Sequence, residues 1–263
     1  YANQFTGFED CPKTLYVGAD LPIYFLTPAH SAGASFLNDQ SGLFSHMRIS
    51  LQYAYHHSFG KNIKVSGGIR LMLLSETFDG SKVDVIDSGD PVVSSAKAKG
   101  TGFDLDFGVR VDYKKQWYAG ISMLHLLSPR IEYGDDKIYQ YNTSSAFYLT
   151  GGYNIKFRSP LFNMQLDAIV RTDLNKWRGD ATARLMYNGE KHHLYFGASY
   201  SPLNSASVLV GGDFHGITIG YSYEIYTSAI GFLHGTHEIS LGYKADLDLF
   251  KKGRNLHKSV RHL

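Results

Sequence analysis

The 263-residue chain is 43% apolar, 14% aromatic and 19% charged, with 27 glycines, 7 prolines, one cysteine and a formal net charge of +2. This composition excludes disorder, a disulfide framework and a collagen-like repeat, and so small a charge gives no reason to expect a nucleic-acid partner. No window approaches the roughly 18 consecutive apolar residues of a membrane helix, whereas a β-barrel, whose strands hide only every second residue from water, stays compatible with the slightly negative mean hydropathy.

The chain opens inside an alternating pattern at Tyr1-Ala2-Asn3-Gln4-Phe5, so residues 1–5 are expected to be the truncated end of a first strand, preceded by its beginning and a signal peptide. Alternation then recurs at 15–23, 33–38, 46–58, 63–74, 103–113, 117–127, 146–157, 162–171, 180–188, 193–201, 206–213, 216–226 and 237–249. In 103–113, Phe103, Leu105, Phe107, Val109, Val111 and Tyr113 alternate with Asp104, Asp106, Gly108, Arg110 and Asp112. In 237–249, His237, Ile239, Leu241, Tyr243, Ala245, Leu247 and Leu249 alternate with Glu238, Ser240, Gly242, Lys244, Asp246 and Asp248. Several segments exceed the usual soluble strand and match the roughly 9–11 residues that cross a bilayer at a tilt. With the opening stub they make about fourteen strands, an even number as single-chain bacterial barrels require. The expected fold is all-β: one antiparallel transmembrane β-barrel domain over 1–250, integral to the bacterial outer membrane and surrounded by its lipid, followed by a basic periplasmic tail over 251–263.

Short connections at 58–62, 113–116, 157–161, 188–192 and 213–216 are expected to alternate with longer ones at 39–45, 75–101, 128–145, 172–179, 201–206 and 227–235, the short ones periplasmic and the long ones outside. Aromatics gather beside the short turns (Tyr55, Phe59, Tyr113, Trp117, Phe157, Phe162 and Tyr187), as an interfacial girdle would. The wet face, with Arg48, Arg70, Asp104, Asp106, Arg110, Gln165, Asp167, Arg171 and Arg184, should line a polar lumen.

Signatures of chemistry are sparse. There is no G-x-S-x-G, H-E-x-x-H, P-loop or G-x-G-x-x-G, so no cofactor, metal or catalytic residue is assigned. The pairs His56-His57 and His192-His193 point to opposite faces of a strand and cannot chelate together. Asp104 and Asp106 sit on one face about 7 Å apart with Arg110, which suits either acid/base chemistry or an ion-pair network. Cys11 has no redox partner.

The opening Asn3-Gln4-Phe5-Thr6-Gly7-Phe8, with Cys11-Pro12-Lys13-Thr14, resembles the N-Q-W-x-G-x-x-G-A-P-x-T segment of PorP/SprF proteins, outer-membrane components of the type IX secretion system in Bacteroidota. Gly235-Thr236-His237-Glu238-Ile239-Ser240-Leu241-Gly242-Tyr243 is similar to that family's closing G-S-H-E-I-S-L-G-Y strand, with Phe5 in place of Trp and Thr236 in place of Ser. The resemblance implies a non-enzymatic role in secretion and gliding: carrying or anchoring secreted proteins with type-B C-terminal signal domains at the cell surface, in association with periplasmic components of the machinery. A diffusion porin or small-solute channel is the alternative, and an enzyme built on Asp104, Asp106 and Arg110 a third. For partner binding the candidates are Tyr133, Tyr139 and Tyr141 in the 128–145 loop, since loop tyrosines offer contact area at low entropic cost. The tail, with Lys251, Lys252, Arg254, Lys258 and Arg261 and no acid, is either solvated chain or a docking segment for an acidic periplasmic partner.

Overall fold

The computed structural model describes residues 1–7, 10–23, 29–82, 97–133, 139–190, 192–227 and 234–245. Its strands are β1 (Ala2–Asn3), β2 (Lys13–Pro22), β3 (His30–Ser41), β4 (Phe44–Phe59), β5 (Ile63–Asp79), β6 (Lys97–Tyr113), β7 (Trp117–Leu124), β8 (Arg130–Tyr133), β9 (Tyr139–Asn142), β10 (Ala146–Lys156), β11 (Phe162–Thr172), β12 (Trp177–Asn188), β13 (His192–Ser201), β14 (Ser205–Phe214), β15 (Ile217–Tyr226) and β16 (Thr236–Tyr243). Fourteen of them close into one antiparallel barrel, while β8 and β9 form a separate two-stranded sheet. The opening stub is the fourteenth strand: Ala2 faces Thr14 on one side and Glu238 on the other, and Asn3 faces Lys13 and His237.

Alternation sorts the side chains inside out. Leu51, Leu71, Ile121, Leu149, Phe196 and Leu241 stand exposed on the outer wall, where lipid covers them. Buried side chains instead include Glu76, Asp104, Asp106 and several serines, the reverse of a water-soluble core. Asp112, Arg110, Tyr118, Asp167 and Arg184 are connected in series along the inner wall. Arg110 donates to Asp112 and lies 3.8 Å over the Tyr118 ring, whose hydroxyl donates to Asp167 (2.9 Å), which also accepts from Arg184 (2.7 Å). Tyr118 reaches from β7 to β11 because the intervening β10 residue is Gly152, where a Cβ would overlap the tyrosine ring. Aromatics crowd one end of the outer wall, with Tyr113 stacked on Trp117 and Phe162 against Tyr187. That end, with the turns at 60–62, 114–116, 157–161 and 215–216, is the turn end; the opposite end is the loop end.

Three expectations need correction. β5 and β6 run 17 residues each, so the 75–101 loop shrinks to 80–96, of which 83–96 lie outside the described residues. The extra rungs are held by pairs such as Asp79 with Lys97 (3.2 Å), and they escape the period-two reading because the face that carries Leu71, Leu73 and Phe103 turns polar there, with Ser75, Thr77, Asp79, Lys97, Lys99 and Thr101, while Phe78 and Ala98 lie on the inner face. The closing strand ends at Tyr243 rather than 249, where its partner β15 begins at Ile217 and the ladder runs out; residues 246–250 and the 251–263 tail lie outside the described residues. Nor is the alternation of connections strict. Gly42, at φ 57°, turns β3 into β4 within two residues, and 202–204 joins β13 to β14 in three, as short as anything at the turn end. Strand pairing, rather than loop parity, establishes the ring.

The two faces predict opposite tolerance to charge. Leu51→Arg, near the middle of β4, should destabilise the lipid-embedded barrel by about 2–4 kcal/mol, while Gln52→Arg on the inner face should cost much less; urea unfolding in lipid vesicles, read by gel mobility, compares them.

Candidate functional site

The most elaborate constellation lies inside the loop-end mouth. β7 leaves its ladder with β6 after Met123, and His125 (φ 57°) and Ser128 (φ 44°) adopt left-handed conformations that bend the chain toward the inner face. Two buried carboxylates of β6 hold the bend. Asp106 accepts the His125 backbone N–H at 2.9 Å and the Arg70 guanidinium, with Nε at 2.8 Å. Asp104, fully buried, accepts the Leu127 N–H at 3.3 Å and lies 2.6 Å from His125 Nδ1. Ser128 and Ser145 both donate to the His125 carbonyl at 2.9 Å, which ties the two legs of the segment together.

Above this neck, β8 and β9 pair Ile131 with Tyr141 and Tyr133 with Tyr139. Ile131 is completely buried against Met72, Leu74 and Ala98, with Phe78 beside them. This is a patch of apolar core on an otherwise polar inner wall. Its floor is Gly102, where any Cβ would come within 2.8 Å of Ile131 Cγ1. Tyr141 packs its ring 5.4 Å from that of His46, which pairs with Glu76, and burial pushes the phenol pKa up, so it stays neutral. The loop expected over 128–145 is therefore a hairpin folded onto the inner wall, and about two-fifths of Tyr141 remains exposed. The side chains of Tyr133 and Tyr139 lie outside the described residues, as do Lys251, Lys252 and Arg254.

Asp104 and Asp106 do share a face, but their partners are His125 and Arg70, whereas Arg110 is engaged with Asp112 and Tyr118. The three residues of the enzyme reading thus do not converge. The closing-strand motif is structural in the same sense. His237 Nδ1 meets the Tyr221 hydroxyl at 2.8 Å, and Ile239, Leu241 and Tyr243 face outward beside it. The two chain ends that carry the family-like segments also meet each other. Thr6 donates to the Gly235 carbonyl through N and Oγ1, Phe5 packs on Tyr226, and His234 lies so close to Gly7 (φ 113°) that a side chain there would collide with it. A cleft of about 270 Å³, absent from the sequence reading because its serines and carboxylates come from different strands, is lined by Arg178, Asp180, Ser205 and Glu224. No group of three or more metal-ligating side chains occurs among the described residues.

Residues 1–243 match the model of a family described as type IX secretion system membrane protein PorP/SprF. Among solved structures, the chain is similar to the crystal structure of a Pseudomonas aeruginosa FadL homologue at 10% identity and a TM-score of 0.53, covering 86% of this chain and 74% of that one. That likeness concerns the fold. No curated protein matches the sequence.

Because the neck rests on two charged acceptors, Asp104→Asn with Asp106→Asn should weaken docking of the segment by about 1.5–3 kcal/mol per lost charged hydrogen bond. Ile131→Ala should cost about 2–5 kcal/mol by emptying the apolar patch. Hydrogen exchange of 125–145 should accelerate in both variants while that of the barrel strands stays slow.

Proposed function

Starting from the fact that the chain belongs to the PorP/SprF family of type IX secretion system membrane proteins and forms an outer-membrane barrel, we propose that it carries or anchors secreted proteins with type-B C-terminal signal domains at the cell surface, and does no chemistry itself. The observation that carries this reading is the packed hairpin. A channel for solutes gains nothing from burying Ile131 and anchoring a neck on two carboxylates in its own mouth, whereas a docking platform needs a contact surface held rigid before the partner arrives. Tyr141, fixed by His46 yet partly exposed, belongs to that surface, together with Tyr133 and Tyr139. The loop end faces the exterior and the turn end the periplasm, where components of the secretion machinery associate with the barrel.

A diffusion channel is the second reading, favoured by the hydrated polar lumen with its chain of ion pairs. The two differ in measurable ways. A carrier co-purifies with a type-B signal domain, loses it when Tyr141 and the hairpin 130–142 are replaced by a Gly/Ser linker, and on gene deletion leaves a subset of secreted proteins undisplayed. A channel shows steady conductance in planar bilayers and normal secretion after deletion.

Orientation is checked separately. In a Cys11→Ser background, Leu203→Cys and Leu174→Cys, both strongly exposed at the loop end, should react with an impermeant thiol reagent on intact cells. Lys115→Cys and Gly189→Cys at the turn end should not; the reverse pattern would invert the assignment.

A further inference from the structure

The turn end holds a second constellation that the loop-end reading does not use. A cavity of about 780 Å³ lies there, and its lining contributes seven basic side chains and two carboxylates, an excess of five positive charges in a chain whose total formal charge is +2. Four of the cations are engaged locally, Arg110 on Asp112, Arg184 on Asp167, Lys244 near Asp213 at 3.8 Å, and Lys64, part-buried on the wall. Lys61, Lys114 and Lys115 stand exposed on the two adjoining turns.

Two features indicate that these lysines are placed rather than scattered. Lys114 and Lys115 both hold left-handed backbone conformations, φ 50° and 55°, which favour glycine or asparagine and strain a lysine. A turn that needed only to reverse the chain would relax with Asn-Gly at those positions, so the strain is kept with the charge. The rim is also stiff. The Lys114 N–H donates to the Asn62 carbonyl at 2.7 Å, and the Asn154 N–H to the Gln116 carbonyl at 2.7 Å, linking three successive hairpin ends by backbone bonds.

We propose that this vestibule is a docking site for an acidic, extended polypeptide segment that enters the lumen from the turn end. The charge calls for a polyanion, and the concave walls focus the field into the cavity. Lipid headgroups would meet only the turn lysines, since Lys64, Arg110 and Arg184 face the lumen and not the bilayer. A lone phosphate would occupy a small part of the volume and meet few of the cations. The site is separate from the hairpin, and the assignment holds whichever compartment the turn end faces.

The test uses the full chain in lipid nanodiscs, titrated with a short fluorescent polyglutamate peptide at low and high salt. Wild type should bind, with affinity falling steeply as salt rises. Lys61→Glu with Lys115→Glu should weaken binding about tenfold or more, and the milder Lys61→Gln with Lys115→Gln less but in the same direction, which keeps the test valid if charge reversal impairs assembly. Lys99→Glu with Lys176→Glu, exposed at the loop end, should leave it unchanged. The proposal fails if the turn-end variants bind like wild type, if the loop-end variants lose binding equally, or if inorganic phosphate displaces the peptide at concentrations matching the peptide's own affinity.

Discussion

Inside a bilayer no water is available to an unpaired backbone N–H or carbonyl, so a sheet placed there must return to its own first strand. In this chain that requirement is met at a small patch where Asn3 faces His237, Ala2 faces Glu238 and Thr6 reaches Gly235. The two terminal segments that resemble the family's opening and closing motifs are the ones that make this closure. A motif at each terminus looks, in one dimension, like two separate recognition elements, but the ring brings them together as one structural joint.

Most of the wall was legible in the sequence because lipid outside and a polar lumen inside impose strict alternation on every rung. The rule reads well through β6, with Asp104, Asp106 and Arg110 set against Phe103, Leu105 and Phe107, and the strands end within a few residues of where it places them. It fails where the two faces stop contrasting. Past Leu74 the outward positions Ser75, Thr77 and Asp79 are polar while Phe78 is apolar on the inner face with Arg70, so β5 appears to stop at 74 although it continues to Asp79. The infolded hairpin was illegible for a related reason. Its two strands are four residues each, too short to show a period, and Ile131 becomes a core residue only through contact with a wall assembled from positions sixty and thirty residues earlier. The anchoring role of Asp104 could not be read locally either, since its partner His125 is twenty-one residues away, across a tight turn and a whole strand.

Both ends of the barrel use the same physical device, a rigid inner wall onto which charge is fixed by neighbours on other strands. At the loop end the fixed charges are carboxylates, and they hold the chain's own hairpin. At the turn end they are mainly cations, with local pairing that leaves an excess facing the cavity. Along the wall of the turn-end cavity, Tyr118 spans β10 over Gly152 to tie Arg110 to Asp167. The tie joins five neighbouring strands, β6, β7, β10, β11 and β12, and stiffens that arc of the barrel.

The unequal strand lengths bear on how anything could meet the loop end. β5 and β6 have 17 residues each, against 10 in β13, β14 and β15, and at about 3.4 Å per residue the longer pair carries more than 20 Å of additional strand. The rim is therefore slanted, with a tall lip on the side that bears the hairpin and a low one opposite. A body descending along the barrel axis meets the β5–β6 wall before it meets β13–β15, so the backbone alone already breaks the rotational symmetry of the rim.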